Sequence, residues 1–143
     1  MSKNNGLPAS VLFVCTLNSI RSPMAEGMMK SRFGDEVYIQ SCGLEAGALS
    51  DLMVAVMREK DIDMSAHKSK TLAEIADTSF DVVVAFNTDA AAAVRAVFDD
   101  SDTEIVIWPT PDPTQGAMDV RAMMNNFRAV RDVVEMRIGN KFG

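Results

Sequence analysis

Apolar residues along this chain come in short solid runs that alternate with stretches where they recur every three or four positions. A solid run of four to six marks a strand buried on both faces, and the spaced pattern marks a helix with one packed side. Ser10 to Cys15 is the first such run, and Ser22-Pro23 then offers an N-cap followed by proline at the first helical position, opening a helix to about Phe33. Val37 to Cys42 reads as the second strand, and Ser50-Asp51 caps a helix that lines Leu52, Met53, Val56 and Met57 along one side. Thr71 with Glu74 has the spacing of a capping box for a short helix, and the valine-rich segment Phe80 to Phe86 follows as a third strand. Ala90 to Phe98 is alanine-rich and helical, Glu104 to Trp108 is a fourth strand, and Val120, Met123, Phe127, Val130 and Val134 repeat at helical spacing in the last element. Met24, Met28, Met53, Met57 and Met123 fall on apolar helix faces and are assigned to the core. The acidic cluster Asp99, Asp100 and Asp102 reads as a solvated connection.

Buried strands alternating with helices imply a parallel sheet with right-handed crossovers, that is, a small doubly wound four-stranded α/β domain flanked by helices. In such a sheet every strand ends on the same edge, so the segments after Cys15, Cys42, Phe86 and Trp108 share one rim. Strand order 2-1-3-4 would place a switch point beside the first strand, where ligands bind in folds of this class. Residues 1–7 read as a polar lead-in, and residues 8–143 as a single domain without repeats or linkers.

Composition narrows the function classes. At 143 residues, with 48% hydrophobic and 24% charged content, the chain has the balance of a soluble globular protein. A net charge of −6 and no Lys/Arg stripe argue against binding nucleic acid or an anionic membrane. No apolar run reaches the roughly 20 residues of a membrane span, and the N-terminus lacks the apolar stretch of a signal peptide, so a cytoplasmic location is expected. Cys15 and Cys42 are too few for a disulfide framework and lie in no His/Cys cluster with zinc spacing, so reduced thiols, no metal and no cofactor are expected.

The chemistry concentrates between Cys15 and Ser22. Five residues separate Cys15 from Arg21, and a helix start follows, so backbone N–H groups can converge on one tetrahedral oxyanion. The helix N-terminus and Arg21 both favour a thiolate, and the Ser22 hydroxyl can donate to its sulfur. Arg21 can hold two oxygens in a bidentate fork, strongest where charge spreads in the transition state. Thr16, Leu17, Asn18, Ser19, Ile20, Arg21 and Ser22 form the phosphate-binding loop. The leaving oxygen needs a proton, and Asp112, after the fourth strand and stiffened by Pro113, is the candidate acid on the shared rim.

The run Val-Cys-Thr-Leu-Asn-Ser-Ile-Arg-Ser-Pro-Met-Ala-Glu-Gly, with the late pair Asp112-Pro113, resembles the low-molecular-weight protein tyrosine phosphatases and their thiol-dependent arsenate reductase relatives. Ser41-Cys42-Gly43, the stretch Asp61-Ile62-Asp63-Met64-Ser65-Ala66-His67 and Phe80-Asp81-Val82-Val83-Val84 look closest to the reductase branch. The resemblance implies attack by Cys15 on phosphorus, a phosphocysteine intermediate, and Asp112 acting first as acid and then as base without a metal. It also implies that Asn18 and Ser22 shape the loop, with Ser41 and His67 behind them. Leu17 stands where the family usually has glycine, and a left-handed leucine would cost roughly 1–2 kcal/mol. Ile20 replaces a cysteine found in many members. Thr114-Gln115 and Leu44-Glu45 supply no aromatic walls for a phosphotyrosine ring.

Three readings follow. The first is a hydrolase of phosphotyrosine or other aryl or small phosphomonoesters, phosphoproteins included. The second is an arsenate reductase, but Asn87 stands where reductase relatives carry relay cysteines, and no cysteine occurs from Gly43 to Gly143, so an external thiol such as glutathione would be needed. Cys42 reads as core filler more readily than as a relay. The third is a catalytically weak phosphate- or phosphoprotein-binding module.

Overall fold

The computed structural model describes residues 6–75, 79–98, 102–116 and 119–143. Elements follow in the order β1 (Ser10–Cys15), α1 (Arg21–Phe33), β2 (Tyr38–Gly43), α2 (Asp51–Arg58), α3 (Leu72–Ile75), β3 (Val82–Ala85), α4 (Thr88–Phe98), β4 (Glu104–Ile107) and α5 (Val120–Phe142). The four strands form one parallel sheet in the order 2-1-3-4. Asp99 and Asp100, like residues 1–5, lie outside the described residues, and Asp102 is exposed.

Strand side chains alternate between the two faces of a sheet, and β1 sorts the core accordingly. Val11, Phe13 and Cys15 face a cluster with Met24, Met28 and Met29 of α1, Met53, Val56 and Met57 of α2, and Phe127, Val130, Val134 and Ile138 of α5. Leu12 and Val14 face the other way, with Leu72 of α3 and Ala90, Ala91, Val94 and Phe98 of α4. β1 pairs with β2 so that Val14 lies beside Cys42 and Cys15 beside Gly43. Cys42 therefore shares the Val14 face, and the two sulfurs belong to opposite layers. Leu7, placed by sequence in the lead-in, packs partly buried against the first cluster.

Local sequence rules account for most boundaries. Ser50 caps α2 by accepting from the Met53 amide at 3.2 Å, and Asp119 caps α5 from the Ala122 amide at 2.8 Å. The Thr71 amide and hydroxyl both donate to Glu74, at 2.7 and 3.1 Å. Two expectations are corrected. Val120 opens α5 but is 73% exposed, because the packed stripe begins a turn later. Ser22 is not the cap of α1: the helix starts at Arg21, its N-cap is Ile20 with no side-chain cap bond, and the Ser22 hydroxyl lies instead between Cys15 Sγ and the Cys42 carbonyl.

Two clusters anchor the frame around the rim. Phe13, Phe86 and Trp108 pack with ring centroids 6.1 to 6.3 Å apart under the strand ends. Arg131, buried on α5, donates to the Val56 carbonyl at 2.9 Å and to Glu59 at 2.7 Å, while Arg128 also holds Glu59 at 2.8 Å, tying α5 to the end of α2. These cations hold the Glu59 carboxyl down at about 2.

Candidate active site

β1 ends at Cys15, and residues 16–20 carry the chain over the rim into α1. Asn18 makes that loop possible. It takes φ +54, the left-handed conformation that asparagine tolerates, and Leu17 does not. The strain expected at Leu17 is thus absent: the turn is displaced by one residue onto Asn18, and Leu17 sits 43% exposed at the loop edge.

Both side-chain polar atoms of Asn18 and its carbonyl are used to hold this shape. Its amide nitrogen donates to Ser22 Oγ and to Ser41 Oγ, both at 2.9 Å, and its Oδ1 accepts from the Lys70 amide at 3.0 Å. Its main-chain carbonyl accepts from Ser69 Oγ at 2.7 Å and lies 3.0 Å from His67 Nε2. A carbonyl can only accept, so His67 carries its proton on Nε2. Ser41 in turn donates to Glu26, which Lys30 also holds and which lies 3.9 Å from His67 Nδ1. Gly43 completes the support by close approach: a Cβ there would meet Asn18 N and Glu45 O at 2.6 Å.

Cys15 is 2% exposed, with Sγ 2.9 Å from Ser22 Oγ. Arg21 is also buried, and its Nη1 donates to the Thr110 carbonyl at 2.9 Å and its Nη2 to Thr16 Oγ1 at a longer 3.4 Å. Among the described residues no carboxylate forms an ion pair with Arg21, unlike the buried Arg131 with its two. A buried cation held only by neutral oxygens is a prepared anion site.

Cys15, Thr16, Leu17, Ser19, Ile20, Arg21 and Asp112 line a cavity of about 90 Å³. That is room for a small tetrahedral oxyanion and far below the roughly 300 Å³ of pockets for drug-sized ligands. Among the described residues no aromatic side chain lines it. A larger hollow of about 520 Å³ runs between α1 and residues 61–67 and does not reach Cys15. Asp112 is turned over the cavity by its own loop: Oδ1 accepts from the Thr114 amide and hydroxyl, at 2.9 and 2.6 Å, and Oδ2 from Gln115 at 3.3 Å. Burial pushes the carboxyl up, but the Thr114 and Gln115 bonds and the Arg21 charge outweigh it and hold the group below the usual carboxylate range.

The structure thus gathers Cys15, the 16–22 loop and Asp112 at one opening, and stacks Ser41 and His67 behind the loop. Glu26 and Thr110 are the residues that sequence reading missed. Glu26 was visible only as one carboxylate four residues before Lys30 on α1, the spacing of an ordinary helix ion pair, and Thr110 contributes mainly its backbone, which no side-chain pattern reports. Cys42 is fully buried, and desolvation together with the neighbouring Cys15 pushes its thiol up to about 12. No group of three His, Cys, Asp or Glu among the described residues is gathered to hold a metal. No helix among the described residues is long and apolar enough to cross a membrane.

Comparison with known proteins agrees with this geometry. The arsenate reductase of Halalkalibacterium halodurans is 36% identical over 128 residues, covering 90% of this chain and 91% of that protein. The glutaredoxin arsenate reductase of Synechocystis sp. is 31% identical over 135 residues, 91% of this chain and 93% of its relative. An arsenate reductase solved in a phosphate-binding state superposes with a TM-score of 0.75 at 29% identity, covering 92% of this chain and 94% of that one. The family described as low molecular weight phosphotyrosine protein phosphatase matches residues 10–142. Since that match runs from the first residue of β1 to the last of α5 and takes in both the loop and Asp112, the chain belongs to the low molecular weight phosphotyrosine protein phosphatase family.

Proposed function

We propose that the protein is an arsenate reductase that completes its reaction with external thiol. The observation that carries this reading is the cavity over Cys15, which is sized for an inorganic oxyanion and has no aromatic wall for an aryl ester. Relatives named arsenate reductase that match about nine-tenths of the chain support it, and the order of the first two readings from sequence is thereby reversed.

The Cys15 thiolate attacks arsenic, forming an As–S bond as one As–OH bond breaks, and the departing hydroxide takes one proton, relayed from solvent through Asp112, and leaves as water. Arg21 and the amides of the loop hold the remaining oxygens, and Asp112 faces the leaving oxygen. Two equivalents of an external thiol then supply two electrons: arsenic(V) leaves as arsenite, the thiols leave as one disulfide, and Cys15 returns as a thiolate. Cys42 takes no part, because it faces the opposite layer with an inert thiol.

A second reading, phosphomonoester hydrolysis through phosphocysteine, is favoured by one observation: Asp112 lines the same cavity as Cys15 and Arg21, where an acid for an alkoxide or phenoxide leaving group belongs. Assaying wild type and Cys15→Ser on arsenate, with glutathione plus glutaredoxin or with thioredoxin, and on an aryl phosphate separates the two. Cys15-dependent arsenite formation is expected. Aryl phosphate turnover without arsenite formation would replace the first reading by the second, and silence in all assays would leave a phosphate-binding module.

A further inference from the structure

Asn87 follows β3 and faces the loop. Its Oδ1 accepts from the Ala90 amide at the start of α4 at 2.7 Å, which fixes the orientation of the carboxamide and turns Nδ2, a pure donor, toward Thr16 Oγ1 at 2.8 Å. Arg21 Nη2, also a pure donor, approaches the same oxygen at 3.4 Å. A hydroxyl oxygen has two acceptor positions and one proton, and here both acceptor positions are taken. The Thr16 proton can only be given away, and no acceptor among the described residues takes it. Thr16 lines the cavity beside Cys15 and Arg21.

We infer that Thr16 is a hydrogen-bond donor to the bound oxyanion, and that Asn87 is the positioning residue that fixes the sense of that bond. This rests on the oxyanion site of the preceding reading but not on the choice between arsenate and phosphate esters. The side chain standing where reductase relatives carry a relay cysteine is thus an orienting group for the loop. Without Asn87 only the longer Arg21 contact holds the Thr16 oxygen, so the hydroxyl is no longer fixed in the donating sense before the anion arrives and the charge-assisted bond is weakened by the cost of ordering it.

The test is calorimetric titration of inorganic phosphate into the reduced full chain. The variants are Thr16→Val, Thr16→Ser, Asn87→Ser and the double variant Asn87→Ser with Thr16→Val, each with its thermal midpoint measured. Serine is a good helix cap but too short to reach Thr16, so Asn87→Ser keeps the α4 cap and removes only the donor. Thr16→Val and Asn87→Ser should each weaken phosphate binding roughly tenfold. Thr16→Ser should bind as wild type, and the double variant should bind no more weakly than Thr16→Val alone. Wild-type affinity in Thr16→Val or Asn87→Ser overturns the inference, as do losses that add in the double variant. A wild type that binds no phosphate removes the oxyanion site itself, and both readings fall together.

Discussion

Ser22 Oγ lies 2.9 Å from Cys15 Sγ and 3.3 Å from the Cys42 carbonyl, with one proton to give to either. Asn18 already donates to that oxygen, so the hydroxyl serves both protonation states of the sulfur. When Cys15 is a thiol, its proton goes to Ser22 and that of Ser22 to the carbonyl. When Cys15 is a thiolate, Ser22 turns its proton to the sulfur. Ser22→Ala should therefore slow alkylation of Cys15 by iodoacetamide at neutral pH by roughly tenfold, the loss of one hydrogen bond to a charged group. An unchanged rate would mean that the contact is only packing.

Cys42 should be silent. With its thiol pushed up to about 12 and its side chain fully buried, a thiol reagent at neutral pH should titrate one group in the native protein and two in denaturant. Cys42→Ala should retain arsenate reduction and lose about 1 kcal/mol of stability for one buried heavy atom. Loss of activity with the fold intact would show that Cys42 takes part in turnover.

Asp112→Asn keeps an oxygen for Thr114 and removes both the resting negative charge and the ability to take up and pass on a proton. Turnover of aryl phosphate should fall about 10²-fold or more, while phosphate binding holds or improves, since a carboxylate beside the anion is gone. Equal turnover would dismiss Asp112 as the acid.

Gly43→Ala places a methyl group against main-chain atoms of Asn18 and Glu45 that cannot turn aside. The cost should be about 1–3 kcal/mol by denaturant unfolding, with weaker phosphate binding as the loop is displaced. A fully stable variant with wild-type affinity would show that the loop is looser than its contacts imply.

Glu59 gives a pH signature away from the site. Its folded carboxyl sits at about 2 against an ordinary 4.5, chiefly through hydrogen bonds from Arg128 and Arg131. A lowered folded value stabilises the fold above pH 4.5, and that contribution is lost as pH falls toward 2. In Glu59→Gln the thermal midpoint should fall less steeply over that interval than in wild type, and identical slopes would exclude the cluster as their source.

The elements and the layout of the core were legible because two periodicities carry them: solid runs for strands closed on both faces, and three-or-four spacing for the helices that close them. Neither periodicity carries the strand order, which the structure shows to be the 2-1-3-4 expected for a fold with its switch point beside β1. Cys15, Arg21 and Asp112 were legible because their residue types and positions survive without knowledge of coordinates. What sequence could not give was backbone conformation within the loop. The family position pointed to Leu17 for the left-handed residue, whereas Asn18 takes it, because its carboxamide has three partners waiting in Ser22, Ser41 and Lys70. The Ser22-Pro23 pair looked like a cap, and the helix begins one residue before it because the hydroxyl is engaged with Cys15. The Arg21 link to the Thr110 carbonyl spans 89 residues of chain through a backbone atom, beyond any side-chain pattern.

The alternation along β1 has a consequence for how the protein would work in a cell. With its two sulfurs facing opposite layers, the molecule cannot bank electrons as an internal disulfide. On the reductase reading, both electrons of each turnover are drawn from outside, and the rate follows the reducing capacity of the surroundings.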